Sequence, residues 1–322
     1  MRHNDLIVWD NHVCLPIRPD DGWFDRLERH RASGATFVSV NLGDAEVPLE
    51  TMLTMAAHFR RAIAARPDRF VLATTVADVR QAKTDGRLAV AFDIEGARAL
   101  GSDLSLIERF YALGVRWLLI AYNRGNLVGA GCHDEHDGGL TPFGRTFLDE
   151  MDRVGMVICC SHTGYRTSRD VLERATKPAI FSHSNARALC DHPRNIPDDL
   201  IARCAHTGGV VGINGLSVFL GGPDRMLERF ADHIDHVADI AGPSHVGVSL
   251  DYVYDQEELL QQLEASRNVW PAGFGYETGI RFVDPEALPA LTDLLLARGY
   301  SDDDLRGIMG GNFMRVADAV WK

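Results

Sequence analysis

The chain has 322 residues and a formal net charge of −12 at pH 7, with 46% hydrophobic and 24% charged residues. This acidic balance argues against a nucleic-acid partner, because phosphate backbones are bound by basic surfaces. The sequence contains no run of about 18 apolar residues, so we expect no membrane partner and no membrane-spanning helix. The polar start before Leu6 is unlike a signal peptide and predicts a cytoplasmic protein.

Eight apolar runs recur along the chain, and the segments between them carry a helical period. The runs are residues 6–9, 36–40, 88–94, 117–121, 156–160, 179–181, 210–213 and 245–250. Continuous apolar runs, rather than alternating ones, are typical of parallel strands that are covered on both faces. The pattern predicts the α/β class and a (β/α)8 TIM-like barrel that forms one domain over residues 1–322. A doubly wound open sheet is the alternative, but no glycine-rich dinucleotide turn follows the first run.

The last part of the chain departs from this rhythm. Residues 253–285 have weak periodicity and contain an aromatic stretch, 270–276, which predicts a long loop that follows the eighth strand and covers the site. Helices are predicted over residues 286–322, with one from 287 to 298 and a second that begins after Ser301. A turn is predicted at 310–313, where two glycines are adjacent.

Polar residues that can bind a metal or a substrate lie at the ends of most predicted strands. They are His12 and Cys14 (first strand), Glu95 (third), Tyr122 and Asn123 (fourth), His162 (fifth), His183 (sixth), Asn214 (seventh) and Asp251 (eighth). In a closed parallel barrel these ends meet on one face, where barrel enzymes have their active sites. Neutral imidazoles bind transition metals without burying a charge. The sequence therefore predicts a metal centre at the carboxyl ends of the strands.

Two ions are expected rather than one. Glu95 has two oxygens and can bridge two cations about 3.5 Å apart, an arrangement that activates one water between them. His162 and His183 would serve one ion, and His12 with its neighbour the other. The alternative role of Glu95 is a salt bridge at the barrel mouth, and that of Asp251 is a helix or loop cap.

A guanidinium lies close to this centre in sequence. Residues 181–195 begin apolar at Phe181, turn polar at His183 and end in His-Pro-Arg-Asn. Arg194 can bind a carboxylate through two parallel hydrogen bonds. His192 is expected to shape the loop that holds Arg194, and His133 to lie at the edge of the pocket.

Six motifs together resemble the membrane (renal) dipeptidase family, peptidase family M19, within the binuclear amidohydrolase superfamily. They are F-S-H-S-x-A-R-A-L-C-D-H-P-R-N at 181–195, D-I-E-G at 93–96, G-G-L-T-P-F-G-R at 138–145, S-H at 161–162, H-V-G-V-S-L-D at 245–251 and G-G-N-F at 310–313. The resemblance covers nearly the whole chain, and the first motif is the most specific. It implies zinc as the cofactor, with His12, Glu95, His162 and His183 as ligands and Glu95 as the bridge.

The resemblance also implies roles around the substrate. Arg194 would bind a substrate carboxylate, Asp251 would take a proton from the bridging water and return it to the leaving amine, and Asn123 would contact the substrate. A homodimer is what the family suggests.

Two residues depart from the family pattern. Cys14 stands where the family usually has aspartate, and its thiolate either binds zinc directly or points away and leaves that site weak. Tyr122 stands where the family often has a histidine that stabilises the oxyanion. A phenol can donate one hydrogen bond to an oxyanion, and the alternative is a tyrosine that only packs at the mouth.

The leading functional hypothesis is a zinc-dependent dipeptidase in which a metal-bridging hydroxide attacks the peptide carbonyl. The resemblance implies tolerance of a D-residue on the carboxyl side, as in L-Xaa-D-Xaa dipeptides. One alternative keeps the site but acts on another carboxylate-bearing small amide or lactam. The other is a catalytically silent, metal-binding homologue, against which the presence of both Asp251 and Arg194 argues.

Overall fold

The computed structural model describes residues 2–277 and 279–322. Its strands are β1 (Trp9–Cys14), β2 (Phe37–Asn41), β3 (Phe70–Leu72), β4 (Leu88–Ile94), β5 (Val115–Leu119), β6 (Val157–Cys159), β7 (Val211–Asn214), β8 (Val246–Ser249) and β9 (Tyr252–Val253). Its α-helices are α1 (Asp21–Phe24), α2 (Glu28–Ala32), α3 (Leu49–Ala64), α4 (Val76–Asp85), α5 (Ser105–Leu113), α6 (Pro142–Val154), α7 (Tyr165–Arg174), α8 (Asp198–His206), α9 (Ser217–Leu220), α10 (Met226–Ala241), α11 (Gln256–Ala265), α12 (Leu288–Ala297), α13 (Asp302–Arg306) and α14 (Asn312–Val320).

The strands close into the predicted parallel barrel. β6, β5, β4, β2 and β1 pair in that order, and β7 pairs with β8. Parallel bridges from Cys159 to Ile180 and from Phe181 to Val211 join β6 to β7 through the predicted sixth strand. Beyond β8, the Leu250 N–H donates to Asp10 Oδ1 on β1 at 2.8 Å and completes the ring. The (β/α)8 architecture predicted from the apolar runs is confirmed.

Helices begin and end where local sequence signals place them. Thr75 accepts from the Asp78 N–H in a capping box at the start of α4, which ends at Gly86 with φ of 70°. Thr141 caps α6 ahead of Pro142, and this helix ends at Gly155. Among the helices of the described residues, none is both long and apolar enough to cross a bilayer.

The barrel interior below the strand ends is filled by aromatic and aliphatic side chains. The rings of Trp9 and Phe37 stack with centroids 3.6 Å apart, and Phe313 from α14 lies 6.2 Å from the Trp9 ring. Trp117 is buried in the same cluster. This packed floor leaves the polar residues at the opposite, carboxyl end of the strands.

Several strands differ from the prediction. The first strand was predicted at 6–9 but runs from Trp9 to Cys14, because its polar residues are paired inside the barrel. Asp10 accepts from His30 Nε2 at 2.9 Å, and Asn11 Oδ1 accepts from Trp9 Nε1 at 2.9 Å. The short strands β3 and β9 were not predicted, since two or three residues give too little pattern. The predicted strand at 179–181 forms only single bridges to its neighbours.

The prediction of a long loop over 253–285 was wrong in part. Residues 253–277 and 279–285, which we call the cover, include the ten-residue helix α11. Its periodicity is weak because Leu263 is its one buried residue. Asp255 caps the helix by accepting from the Glu258 N–H, and Arg18 forms ion pairs with both acids.

The predicted C-terminal helices are present as α12, α13 and α14. The turn predicted at 310–313 was wrong, because Gly307–Gly311 forms a π-helical turn that continues into α14. The extra residue in this turn is accommodated at Gly310, whose backbone leaves helical geometry.

Candidate metal centre and substrate pockets

Glu95 lies at the middle of the predicted metal ligands. Its Oε1 is 3.2 Å from His183 Nε2, 3.3 Å from His162 Nε2 and 3.5 Å from His12 Nε2. The Nε2 atoms of His162 and His183 are 2.9 Å apart. Residues from three separate strand ends and from β1 thus direct their ligand atoms at one point.

The Cys14 side chain points into this cluster and not away from it. Its Sγ is 3.4 Å from His12 Nε2, and Asp251 Oδ1 is 3.5 Å from the same nitrogen. Of the two orientations that the sequence left open, the structure has the one from which the sulfur can reach a metal.

Two donor sets capable of holding a metal share His12. One comprises His12, Glu95 and His183, the other His12, Cys14 and Asp251, and within each set the ligand atoms lie within 4.8 Å of one another. Imidazole, thiolate and carboxylate are the donors that zinc prefers. The residues present therefore fit the donor set of a zinc centre.

Three site residues adopt left-handed backbone conformations that side chains other than glycine rarely take. Asn123 has φ of 55°, His162 of 62° and Asp251 of 53°. The one other such residue in residues 2–277 and 279–322 is Arg225. Each costs of order 1–3 kcal/mol and persists where the surroundings enforce it, which is common at functional sites.

Asp93 orients His12 and was not assigned a role from the sequence. Its Oδ1 is 3.2 Å from His12 Nδ1, and the carboxylate accepts from Ser39 Oγ at 2.6 Å and from Asn41 Nδ2 at 3.0 Å. A carboxylate behind a ligating imidazole is a common feature of metal sites. Its position in the 93–96 motif, two residues before Glu95 and so on the same face of the strand, was the available signal.

The other two imidazoles are oriented in the same manner. His162 Nδ1 is 2.7 Å from Asn123 Oδ1, and His183 Nδ1 is 2.7 Å from Ser182 Oγ. These contacts direct both Nε2 atoms at Glu95. Asn123 is fully buried, so the structure gives it a role in holding His162, and its contact with substrate stays a prediction.

Burial governs the protonation of the cluster. It raises the pKa of Glu95 to about 8 and that of Cys14 to about 12, and it lowers the pKa of His162 and His183 well below the usual value. Burial opposes the charge on His12, yet the nearby Cys14, Asp93 and Glu95 raise its pKa well above the usual range. A divalent cation stabilises the anionic forms of carboxylate and thiol ligands. Binding one would therefore offset the effect of burial on Glu95 and Cys14.

Asp251 lies at the edge of the cluster. Burial raises its pKa, and Asn214 Nδ2 donates to its Oδ2 at 2.7 Å. Its other oxygen faces His12. The residue is therefore positioned as a buried carboxylate with one oxygen held by Asn214 and the other turned toward the metal ligands.

Tyr122 combines packing with access to the site. Its ring stacks on the His162 ring with centroids 4.3 Å apart and contacts Trp270 of the cover edge to face. It lines a cleft together with Glu95 and Asp251. Within residues 2–277 and 279–322 no hydrogen bond engages its hydroxyl, so both roles considered from the sequence remain open to it.

Arg194 lines a second cavity, which shares His162 with the first cleft. The side chain is 2% exposed, and its Nη2 donates to the His183 carbonyl oxygen at 3.2 Å. Among the described residues, Nε and Nη1 have no hydrogen-bond partner and no carboxylate pairs with the guanidinium. The Arg194 N–H donates to His192 Nδ1 at 3.0 Å, as expected for a residue that shapes this loop.

Comparison with known proteins places this site in a family. The sequence model described as membrane dipeptidase (peptidase family M19) matches residues 24–269. Dipeptidase aclJ of Aspergillus oryzae is 31% identical over 99% of this chain and 77% of its own length. Dipeptidase verJ of Clonostachys rogersoniana is 31% identical over 79% of this chain, and the match spans 61% of that relative.

Solved structures show the same fold. An amidohydrolase from Pseudomonas aeruginosa superimposes with a TM-score of 0.89 at 29% identity, covering 99% of this chain and 98% of its own. A metallopeptidase from Rhodobacter sphaeroides, solved with a phosphinate mimic of the dipeptide L-Ala-D-Ala, superimposes with a TM-score of 0.79 at 24% identity over 98% of this chain and 99% of its own. The chain belongs to the membrane dipeptidase family, peptidase family M19, a family of metal-dependent hydrolases.

Proposed function

We propose that the protein is a zinc-dependent dipeptidase that binds two ions and hydrolyses dipeptides with a free carboxylate, including L-Xaa-D-Xaa dipeptides. The observation that carries this proposal is Arg194, a buried guanidinium beside the cluster of metal ligands whose Nε and Nη1 nitrogens have no hydrogen-bond partner among the described residues. A buried cation without a counter-charge is costly, and a substrate carboxylate would supply the missing anion.

The ligand atoms divide between two ions in the proposal. Glu95 would contribute to both, His162 and His183 to one, and His12 with Cys14 to the other. When bound, such ions lower the pKa of water and polarise a substrate carbonyl. Asp93, Asn123 and Ser182 hold the imidazoles so that only the Nε2 atoms face the cluster.

The remaining steps are proton transfer and charge stabilisation by the chain itself. Asp251 accepts the proton of the attacking water at the oxygen that faces His12, while Asn214 holds its other oxygen, and it then returns the proton to the leaving amine. Tyr122 donates its free hydroxyl to the oxyanion. Arg194 fixes the carboxylate so that the scissile bond lies between it and Glu95.

The direct test is zinc content per chain together with hydrolysis of L,L and L,D dipeptides. We expect two zinc ions per chain and turnover of both classes. A matched pair of substrates, a dipeptide and its C-terminal amide, isolates the carboxylate. Because a buried charge pair is lost, the amide should be a poorer substrate by ~10²-fold or more. Equal rates on the pair would refute the role of Arg194.

A second candidate is favoured by Cys14 and Tyr122, which depart from the family pattern at the metal and at the oxyanion. It is a binuclear hydrolase of another carboxylate-bearing amide or lactam, with the same roles for Glu95 and Asp251. Zinc binding without dipeptide turnover, but with turnover of an N-acyl amino acid or a lactam, would favour it. Binding without any turnover would favour the silent homologue. The homodimer and the cytoplasmic location stay predictions.

A further inference from the structure

The two cavities meet at His162, and this fixes which part of a dipeptide enters each. The second cavity contains Arg194 and so receives the carboxyl-terminal residue. The first cleft contains Glu95, Tyr122 and Asp251 and extends over apolar side chains such as Leu263 of the cover. With the peptide bond at the metal ligands, the side chain of the carboxyl-terminal residue therefore lies in the second cavity.

That cavity has a second guanidinium, Arg187. Its Nη2 donates to the Pro193 carbonyl oxygen at 3.1 Å, while its buried Nε has no partner among the described residues. No ion pair within residues 2–277 and 279–322 involves it. Arg187 and Arg194 line the same cavity as Cys132. Their positive charges oppose the rise in the pKa of the Cys132 thiol that burial causes.

Two of the three acids that line the cavity accept hydrogen bonds from backbone N–H groups. Asp134 Oδ2 accepts from the N–H groups of Gly125 and Gly131 at 2.7 and 2.9 Å. Asp137 accepts from three backbone N–H groups and from Thr167 Oγ1. Asp191 is exposed at the rim. Neither Asp134 nor Asp137 forms an ion pair with Arg187 or Arg194. The unpaired hydrogen-bond donors of the two guanidiniums are therefore available to an anionic ligand, and they outnumber those that one carboxylate uses.

We propose that Arg187 is a specificity-determining residue that binds an acidic side chain on the carboxyl-terminal residue of the substrate. The preferred substrates are then dipeptides that end in aspartate or glutamate, with the α-carboxylate at Arg194 and the side-chain carboxylate at Arg187. This inference rests on the proposed dipeptidase function and adds the substrate class to it.

The test compares L-Ala-Asp with the nearly isosteric, uncharged L-Ala-Asn, each with the second residue in the L and the D form. The zinc-loaded parent protein should favour the aspartate substrate at least ~10-fold in kcat/KM, because charge-assisted bonds to a guanidinium are replaced by neutral ones. In Arg187→Gln this ratio should fall to near one through a higher KM for the aspartate substrate. Arg187→Lys keeps the charge but not the planar fork, and should retain an intermediate ratio.

Asp191→Asn is the matched control, because it changes the charge at the rim of the same cavity and keeps both guanidiniums. The ratio of kcat/KM for the aspartate substrate to that for the asparagine substrate should stay at or above the ratio of the parent. Equal kcat/KM for both substrates in the parent would overturn the inference and leave the dipeptidase proposal standing. An unchanged ratio in an Arg187→Gln variant that melts like the parent would also overturn it. Zinc-loaded protein that hydrolyses neither dipeptide would remove both proposals together.

Discussion

The strand ends and the cover build opposite sides of the same cleft, and they are held in different ways. Glu95 and Asp251 follow strands of the barrel that pair with their neighbours through parallel backbone hydrogen bonds. The two ends of the cover pair with the barrel through backbone hydrogen bonds, as from the Tyr254 N–H to the Cys14 carbonyl oxygen and from the Val283 N–H to that of Gly215. Its middle part is attached through side chains, since Tyr276 Oη is 2.8 Å from His133 Nε2 and the Phe274 carbonyl oxygen is 3.1 Å from His192 Nε2. The predicted catalytic residues therefore lie on the barrel strands. The cover is held by fewer backbone hydrogen bonds than the strands are, so it can move more easily than they can.

The largest effect is expected from Asp251→Asn, on the rigid side. Asparagine keeps the shape and the contact with Asn214 but cannot accept the proton, so kcat should fall ~10²–10⁴-fold. Steady-state kinetics on L,L and L,D dipeptides measures this. Zinc content should stay close to that of the parent if the main role of Asp251 is proton transfer and not metal binding.

A variant with intact activity would mean that the assigned mechanism is wrong. A loss of one zinc ion together with activity would instead make Asp251 chiefly a ligand, which its 3.5 Å distance from His12 Nε2 allows. Metal analysis on the same preparation separates the two cases.

The next effect concerns Cys14, where the chain departs from its family. Cys14→Ser removes the thiolate and should lower zinc content toward one ion per chain, with a loss of kcat/KM beyond the ~10–100-fold typical of residues behind the ligands. In cobalt-substituted protein the parent should show a sulfur-to-cobalt charge-transfer band that Cys14→Ser lacks.

Cys14→Asp is the matched control because it restores the carboxylate usual in the family. It should bind two ions without the charge-transfer band and tolerate harder ions such as Mn²⁺ better than the parent does. A parent protein with no such band, at full cobalt occupancy, would show that the sulfur is not a ligand.

A smaller effect is expected from the hydrogen bond behind His162. Asn123→Ala removes the acceptor at 2.7 Å from His162 Nδ1 and should weaken metal binding or activity ~10–100-fold. Asn123→Asp keeps an acceptor and tolerates the left-handed backbone at φ of 55°, so it should lose less. Competition with a chromophoric chelator gives the affinities, and equal losses in both variants would argue against orientation as the cause.

The sequence predicted the rigid side far better than the cover. Strand ends could be read because continuous apolar runs mark buried parallel strands, and Glu95, His162 and Asp251 follow them directly. Asp93 was missed because it lies inside the apolar run 88–94, and only its spacing of two residues from Glu95 indicated that it faces the site. Helix α11 escaped because an exposed helix held by a cap and by Arg18 has no apolar stripe to detect.

The last expected effect is a loosening of the cover in mild acid. Burial, helped by the positive charge of Arg194, lowers the pKa of His133 to about 3, and burial lowers that of His192 to about 4. Both imidazoles are neutral in the folded state at pH 7, whereas a free histidine titrates near pH ~6.5. As the pH falls from ~6.5 toward ~4, the state in which the cover has left the two histidines binds more protons than the folded state does. The stability that the neutral histidines give to the attached cover is fully present above that range and is progressively lost within it.

Amide hydrogen exchange of residues 256–277 at pH 7 and pH 5, corrected for the intrinsic rates, measures this opening. We expect the amide protection of the cover to fall at pH 5 and that of β2 to stay the same. The reason is that His133 and His192 contact the cover and not β2. His133→Gln combined with His192→Gln replaces both titrating rings by neutral side chains and should flatten the pH dependence. If β2 loses protection in parallel with the cover, the molecule opens as a whole and the cover has no separate equilibrium.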